Sequence, residues 1–229
     1  MLVRLMRFLN RKKVVVQFND LSRTTPVSRV FGLDRGTPVN RYYIEKFLAG
    51  RAELVRGRVL EIGDSEYSRR FGGDKVEKFD VLHATPDNPG ATLVGDLADS
   101  ATLPADSFDC FICTQTFDCI FDLQKAVQGA HHLLKPGGVL LATVSGIGQI
   151  SRYDMERWGE YWRFTAASLT RLFQPVFTGG VEVESFGNML SSIAALQGIA
   201  VEDLPDPGLL DQNDAEYPLV LTVVARKAC

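Results

Sequence analysis

A turn that joins an apolar run to a polar segment, at residues 58–70, is where the chain first brings together side chains that could bind a ligand. The string RVLEIGDSEYSRR places an acidic residue, Glu61, near the end of an apolar strand and a glycine, Gly63, before a helix. In a doubly wound sheet, ligands bind beyond the carboxyl ends of the strands, beside the point where the strand order reverses. One such turn is a weak signal by itself, but it predicts where a binding site would lie.

Three further strings follow at distances that suit the same sheet edge. Asp80 lies in KFDVLH, Asp96 lies in VGDLAD, and residues 103–144 run from LPADSFDCFICTQTF to LLKPGGVLLATV. Each string pairs a strand-like apolar run with a polar residue near its end. The four strings together strengthen the prediction of one ligand site at the edge of a sheet.

The elements that position these residues alternate between strand-like and helical runs from residue 40 onward. Apolar runs predict strands at residues 58–62, 78–83, 92–94, 108–114, 138–144, 181–186 and 219–225. Helical patterns fall at about residues 40–56, 65–71, 123–134, 165–173 and 188–196, with Asn40 and Thr165 as predicted N-caps. This alternation is typical of an α/β protein with a mainly parallel sheet.

In this order, the four motifs resemble the class I S-adenosylmethionine-dependent methyltransferases, especially their small-molecule, type 11-like branch. The shared features are the EIG turn, a GD segment leading to LP, SFD followed by a strand, and LKPGG before strand five. The resemblance covers about residues 40–145, and the two late strands match the family's closing hairpin. It implies a doubly wound, Rossmann-like sheet of seven mostly parallel strands, with an antiparallel last strand and helices on both faces.

The resemblance also implies S-adenosyl-L-methionine as the cofactor. In the family, the glycine turn passes the methionine part, a carboxylate after strand two takes the ribose hydroxyls, and an acid after strand three receives the adenine amino group. Asp80 and Asp96 match these two acids. The residues expected to contact the cofactor are Tyr42, Tyr43, Glu61, Gly63, Asp64, Ser65, Asp80, His83, Asp96, Leu97, Thr114, Gln115 and Thr116.

The glycine turn departs from the family's G-x-G-x-G pattern. Ser65 and Tyr67 stand where the pattern has glycine, so only Gly63 remains. Glycines let a backbone take unusual dihedral angles and lie against a ligand. We still expect the cofactor to bind, because it has no pyrophosphate that the turn must cradle.

A hydroxyl acceptor benefits from a general base, and the chain offers several. His131 and His132 lie on the helix before the KPGG turn, where a structural role is expected, and His83 is expected on the ribose side. The remaining candidates for catalysis follow strand four or lie in the cap, where a surface role is the alternative for each: Asp118, Tyr153, Asp154 and Glu160. Asp118 is the best placed of these.

Aromatic and basic residues are concentrated at residues 147–164, which we interpret as a cap over the substrate. Flat apolar faces beside hydrogen-bond donors suit a sugar or an aromatic polyketide. The predicted substrate-binding residues are Arg35, Arg152, Trp158, Tyr161 and Arg163. Anchoring of the cap on the core is an equally good role for its aromatic residues.

Composition limits the classes of function. The chain has 229 residues and a formal net charge of -3, which argues against a nucleic-acid partner. No apolar run approaches the length of a membrane span, no metal is expected, and four cysteines fit a reducing, cytoplasmic location. We expect an N-terminal arm at residues 1–38, whose first 18 residues could be a loosely packed arm or an amphipathic surface segment, and one domain at residues 39–229.

The sequence therefore predicts a methyltransferase that acts on a hydroxyl, or less favourably a nitrogen or carbon, of a small natural-product metabolite. Two alternatives stay open. One is a biosynthetic enzyme or pericyclase that keeps the fold without methyl transfer, because fold does not fix function. The other is a binding partner of a neighbouring pathway protein. The acceptor, the need for a divalent metal in the reaction and the oligomeric state are not specified by the sequence.

Overall fold

The computed structural model describes residues 22–229, so the predicted arm segment at residues 1–18 lies outside the described part. Seven strands form one sheet in the order β3-β2-β1-β4-β5-β7-β6. They are β1 (Gly57–Ile62), β2 (Val76–His83), β3 (Leu93–Val94), β4 (Phe108–Thr114), β5 (Leu134–Ser145), β6 (Val181–Phe186) and β7 (Val220–Arg226). Neighbouring strands are parallel except where β7 pairs antiparallel with β5 and β6. The predicted doubly wound fold is confirmed.

Residues 22–229 contain five α-helices, four of which cover the two faces of the sheet while the third along the chain lies in the cap. They are α1 (Val39–Gly50), α2 (Leu123–Leu133), α3 (Arg152–Arg157), α4 (Ala166–Phe173) and α5 (Met189–Gln197). Side chains of α2 and α4 pack into the core on one face, and those of α1 and α5 pack on the other. Within residues 22–229, no helix is long and apolar enough to cross a bilayer.

The central strands form where the sequence is almost continuously apolar. Cys110 and Cys113 of β4 are fully buried between the two helical layers, where free cysteines pack as small apolar side chains. Strands β1 and β4 are parallel neighbours in the middle of the sheet, and they pair from Val59 with Cys110 onward. This pairing brings the ends of β1 and β4 side by side.

Predicted boundaries are wrong in α1 and β5. Helix α1 begins at Val39 after Pro38, which presets the backbone but offers no side-chain cap, so Asn40 is not its N-cap; the helix ends at Gly50, before a 3₁₀ turn. The helix predicted at residues 65–71 is confirmed as a short helical segment at residues 66–72, of which Ser68–Gly72 is a π-type turn. Strand β5 begins at Leu134 rather than residue 138, because Leu134 already pairs with Phe108.

The segment before α1 lies across the body of the protein. The backbone N–H groups of Val27 and Ser28 donate to the carbonyl oxygen of Gln197, and Thr37 donates to the carboxylate of Glu202. We call residues 28–35 the strap. It connects the N-terminal side of the described chain to the end of α5.

Candidate functional site

A cleft of about 620 Å³ opens at the carboxyl ends of β1, β2 and β4, where the sequence motifs predicted a ligand site. We call it the main cleft. Its volume lies within the range of small-molecule sites. Its walls are formed by Ile62, Gly63, Leu82, His83, Ala84, Gly95, Asp96, Leu97, Ala98, Thr114, Gln115, Thr116, Cys119, Ile120, Phe121, Asp122, Tyr153, Asp154, Trp158 and Tyr161.

The glycine turn after β1 leaves its side of the main cleft open. Gly63 has a φ of +81°, and a Cβ added there would meet no atom within 4 Å. Its N–H donates to the carbonyl oxygen of Leu82, and its own carbonyl accepts from Asn88 Nδ2. Asp64 and Ser65 do not line the cleft, because they bond within the turn to Glu66 and Arg69. Ser65 and Tyr67, which stand where the family pattern has glycine, therefore do not close the main cleft.

Glu61, which the sequence analysis assigned to the cofactor, lies outside the main cleft, as does Asp80. Glu61 is 2% exposed, and its carboxylate accepts the backbone N–H groups of Tyr67 and Ser68. Burial raises the pKa of Glu61, although these hydrogen bonds favour its charged form. Its role in this structure is to cap the turn that follows β1, because both of its oxygens have backbone donors.

Asp80 lies in the middle of β2 rather than at its carboxyl end. Burial acts to raise its pKa, but hydrogen bonds from Arg58 Nε at 2.7 Å and Thr92 Oγ1 at 3.0 Å hold the pKa below its usual value. Lys78 Nζ lies 3.4 Å from the same carboxylate. The structure thus places Asp80 inside β2 beside Arg58 and Lys78 and away from the lining of the main cleft, whereas the resemblance implied a place at the ribose side.

The end of β2 instead presents His83 to the main cleft. Its Nδ1 is 2.9 Å from the carbonyl oxygen of Thr85, and its ring lies edge-on to Trp158. Asp96 and Leu97, after β3, line the opposite part of the cleft. Asp96 is exposed and its Oδ1 accepts the N–H of Ala98, which fixes the carboxylate at the cleft wall.

Tyr42 and Tyr43 do not reach the main cleft. Tyr43 is 1% exposed and its hydroxyl donates to the carbonyl oxygen of Leu210. The hydroxyl of Tyr42 donates to Asp211 Oδ1 at 2.6 Å. Helix α1 packs both side chains toward residues 210–211, so they anchor the helix instead of closing over a cofactor.

A second chamber of about 300 Å³ adjoins the main cleft. The two cavities share wall residues at the end of β4 and in the cap, namely Thr114, Gln115, Cys119 and Asp154. Gln115 has a φ of +48°, an uncommon value for a residue with a side chain. Its side-chain amide is held by Thr143 and Ser145 of β5, so the strained turn is fixed between the cavities.

Asp118 lines the second chamber and is the most perturbed carboxyl of the site. It is 3% exposed; Oδ1 accepts the N–H of Ser145 at 3.0 Å, and Oδ2 has no hydrogen-bond partner within residues 22–229. Burial raises its pKa to about 7. A buried carboxyl with one free oxygen and a pKa near neutrality can accept a proton.

The cap divides between residues that face the cavities and residues that hold it in place. Tyr153, Trp158 and Tyr161 line the main cleft. The guanidinium of Arg163 pairs with Glu160 Oε1 at 2.6 Å and donates to the carbonyl of Gln149, so it braces the cap. Arg152, at the start of α3, is exposed and lines neither cavity.

Arg35 also lies away from both cavities. Its Nε and Nη2 donate to the two carboxylate oxygens of Asp203 at 2.7 and 2.9 Å, so it fastens the end of the strap. The strap reaches the second chamber through Phe31 and Leu33, which the sequence analysis did not select.

Several other wall residues were missed because no local pattern marks them: Tyr67, Cys119, Ile120, Phe121, Ser145 and Gln149. Most come together through contacts between distant segments. Phe121, which lies between the 3₁₀ turn at Phe117–Cys119 and α2, is 70% exposed, and the structure rather than the sequence reveals this exposed aromatic side chain. Within residues 22–229, no three His, Cys, Asp or Glu side chains are arranged to hold a metal ion.

Comparisons with known proteins agree with this architecture. A methyltransferase from Mesorhizobium loti, described as S-adenosylmethionine dependent, is 18% identical with a TM-score of 0.53, over 86% of this chain and 100% of its own. The [4+2]-cyclase SpnF is also 18% identical, with a TM-score of 0.54 over 85% and 84%. A Haloferax volcanii protein, solved in complex with a methyltransferase activator, is 19% identical with a TM-score of 0.53 over 81% and 90%.

At these identities the solved structures establish the fold. No curated protein matches the sequence significantly. Residues 56–142, which run from before β1 into β5, match the family described as the methyltransferase domain. The match to this family over residues 56–142, together with the shared fold, agrees with the resemblance to the class I S-adenosylmethionine-dependent methyltransferases that the sequence motifs indicated.

Proposed function

We propose that the protein transfers a methyl group from S-adenosylmethionine to a hydroxyl of a small metabolite, such as a sugar or a polyketide of a natural-product pathway. The observation that carries the proposal is the shared wall between the two cavities. Thr114, Gln115 and Cys119 border both the main cleft and the second chamber. A donor in one cavity and an acceptor in the other would meet at the end of β4, and such placement supplies much of the rate of a bimolecular transfer.

The residues present fit the cofactor. Gly63 leaves open space beside the turn, which suits the methionine end, and Asp96 with Leu97 suits the adenine end. His83 takes the ribose side, where its imidazole can bond a hydroxyl. When bound, the cofactor supplies an activated methyl group on a sulfonium.

Asp118 is the residue we assign as general base. Asp118 lines the second chamber, and its buried Oδ2 has no hydrogen-bond partner within residues 22–229, so we assign to this carboxyl the acceptance of the proton from an acceptor hydroxyl there. The N–H of Ser145 holds Oδ1 and orients the carboxyl. A pKa of about 7 leaves a large share of this carboxyl ionised at neutral pH, as a base requires.

Aromatic side chains support a flat or ring-shaped acceptor. Tyr153 and Tyr161 are 63% and 51% exposed, and Phe121 packs edge-on to Tyr161 at 5.4 Å between ring centroids. These rings flank the main cleft near its mouth. The four cysteines are unpaired, which supports a reducing, cytoplasmic location.

The experiment uses S-adenosylmethionine carrying an isotopically labelled methyl group and a panel of hydroxylated metabolites. We expect one acceptor class to gain the labelled methyl by mass spectrometry, with Glu156→Gln, an exposed acid that lines neither cavity, as active as the wild type. Because SpnF shares the fold and is a cyclase, conversion of a substrate without a gain in methyl mass would favour the non-methylating alternative.

A further inference from the structure

The second chamber has two chemically different walls. The strap and α1 supply apolar surface through Phe31, Leu33 and Ile44. The turn after β4 and the cap supply three carboxyls: Asp118, Asp154 and Glu160. A ligand that fills this space must present an apolar face to one wall and polar groups to the other.

The acids are not equally balanced by cations. Glu160 is paired with Arg163 at 2.6 Å, and its second oxygen accepts the N–H of Ser151 at 2.6 Å. Asp118 and Asp154 form no ion pair within the described residues. Asp118 and Asp154 therefore bring up to two negative charges to this wall without a direct ion pair among residues 22–229, and Arg163, already paired with Glu160, acts on Asp118 only through space.

The nearest basic residue on the apolar side does not offset them. Arg41 lies 3.8 Å from a carboxylate oxygen of Glu45 and 3.7 Å from one of Glu66. Its guanidinium also approaches the ring of Tyr67. Because it is already flanked by two acids, Arg41 does not neutralise Asp118 or Asp154.

The buried oxygen of Asp118 is an independent sign that a ligand completes the wall. A buried acceptor without a donor is unfavourable by about 1–3 kcal/mol, so native structures rarely retain one without a function. Oδ2 of Asp118 is such an atom, in a side chain that is 3% exposed at the chamber wall. A ligand that donates hydrogen bonds could supply the missing donor for Asp118 Oδ2, and a positive charge on the same ligand would balance the carboxylates of the wall.

We infer that the second chamber takes an acceptor bearing a protonated amine beside its hydroxyl, with the hydroxyl against Asp118, the amine against Asp154 and an apolar face against the strap. This inference rests on the proposed function, since it concerns the same transfer. It narrows the substrate class from hydroxylated metabolites in general to amino alcohols such as amino sugars. Since no three ligating side chains converge in residues 22–229, an organic cation fits the wall better than a metal ion.

The test uses protein saturated with S-adenosylhomocysteine and three ring-matched probes: glucosamine, glucose and glucuronate. Binding is measured at pH 7 by titration and ligand-observed NMR. We expect glucosamine to bind at least ten times more tightly than glucose, and glucuronate to bind most weakly. Asp118→Asn and Asp154→Asn should each lower the preference for glucosamine at least threefold.

Glu156→Gln is the matched control, because it removes the same charge from an exposed position on α3. It should leave the preference unchanged. The affinity for S-adenosylhomocysteine, measured in every variant, confirms that each is folded and separates the two roles that an acid could play.

The outcomes distinguish the inference from the proposed function. Absence of S-adenosylhomocysteine binding in the wild type would overturn the proposed function and the inference with it. Normal cofactor binding with no preference among the three probes, or no detectable binding of any, would overturn the inference alone. The same holds if Asp154→Asn weakens only the cofactor, since the acid would then serve the donor.

Discussion

Asp80 and Asp118 are two carboxyls that are each 3% exposed, yet their surroundings are opposite. Asp80, in β2, accepts from Arg58 and Thr92 and has Lys78 nearby, so its pKa is lowered despite burial. Asp118, after β4, has one backbone donor and one unpartnered oxygen, so burial raises its pKa to about 7.

The comparison teaches that burial alone does not distinguish a structural acid from a reactive one. The charged groups and hydrogen-bond donors around a buried carboxyl decide whether its pKa is raised or lowered. Asp80 lies within the strand, where neighbouring side chains reach both of its oxygens, whereas Asp118 lies just beyond a strand end and borders a cavity. Asp80, which the sequence analysis assigned to the cofactor, is the acid whose hydrogen bonds stabilise the fold.

The largest expected effect is on catalysis at Asp118. Asp118→Asn keeps an oxygen for the N–H of Ser145 but cannot take a proton, so turnover of an identified acceptor should fall by about 10²- to 10⁴-fold. Labelled methyl transfer measures it, with Glu156→Gln as control. Turnover within about threefold of the wild type would show that Asp118 is not the base.

The next effect is on stability and its pH dependence. The pKa of Asp118 rises from 3.8 in the unfolded chain to about 7, so the folded state binds the extra proton between these values. Stability from this group is therefore present at pH 4 and lost as the pH rises to 7, by up to about 4 kcal/mol. Asp118→Asn removes the ionisable carboxyl, and with it the loss of folding stability between pH 4 and pH 7.

Urea unfolding of the wild type and Asp118→Asn at pH 4, 5, 6 and 7 measures the difference. The variant should gain stability relative to the wild type as the pH rises. Glu160 and Arg163, which lie beside Asp118, remain in both proteins and cancel in the comparison. A difference that is independent of pH would contradict the raised pKa.

Asp80 should behave in the opposite way. Asp80→Ala removes the acceptor of Arg58 and Thr92 and should destabilise the protein by about 2–3 kcal/mol at pH 7. Because the folded pKa is lowered, this stabilisation is present above pH 3.8 and is lost as the pH falls further.

A double-mutant cycle with Arg58→Ala isolates the pair, and S-adenosylhomocysteine affinity should stay within twofold of the wild type. If Asp80→Ala instead greatly lowers the affinity for S-adenosylhomocysteine and leaves stability unchanged, Asp80 belongs to the cofactor site.

The smallest expected effect is at Glu61, a third buried acid whose two oxygens both accept backbone N–H groups. Glu61→Gln keeps one acceptor and replaces the other with a donor, so the turn after β1 should lose about 1–2 kcal/mol. Urea unfolding at pH 7 measures this loss. No change would show that the carboxylate does not stabilise the turn.

The sheet could be predicted from sequence because its signals are local. The apolar run of β4 gives its bounds without error, and Thr165 is recognised as a cap from residue type and position. The fold resemblance came from four ordered motifs, each within a few residues of a strand end.

The site was less predictable because its walls depend on distant contacts. Phe31 and Gln149 face the second chamber only because the strap and the cap meet there. Asp80 was assigned to the cofactor by matching a family motif, although the strand predicted at residues 78–83 already placed it inside β2 rather than at its end. Tyr43 could not be separated from a cofactor contact without knowing that Leu210 lies over it.

Calorimetric titration with S-adenosylhomocysteine tests the central claim, that the main cleft holds the methyl donor. Asp96→Ala and Asp99→Ala form a matched pair, because each acid accepts the N–H two residues ahead but only Asp96 lines the cleft. We predict saturable binding that weakens about tenfold in Asp96→Ala and stays within twofold in Asp99→Ala. No heat and no thermal shift at millimolar ligand would contradict the account.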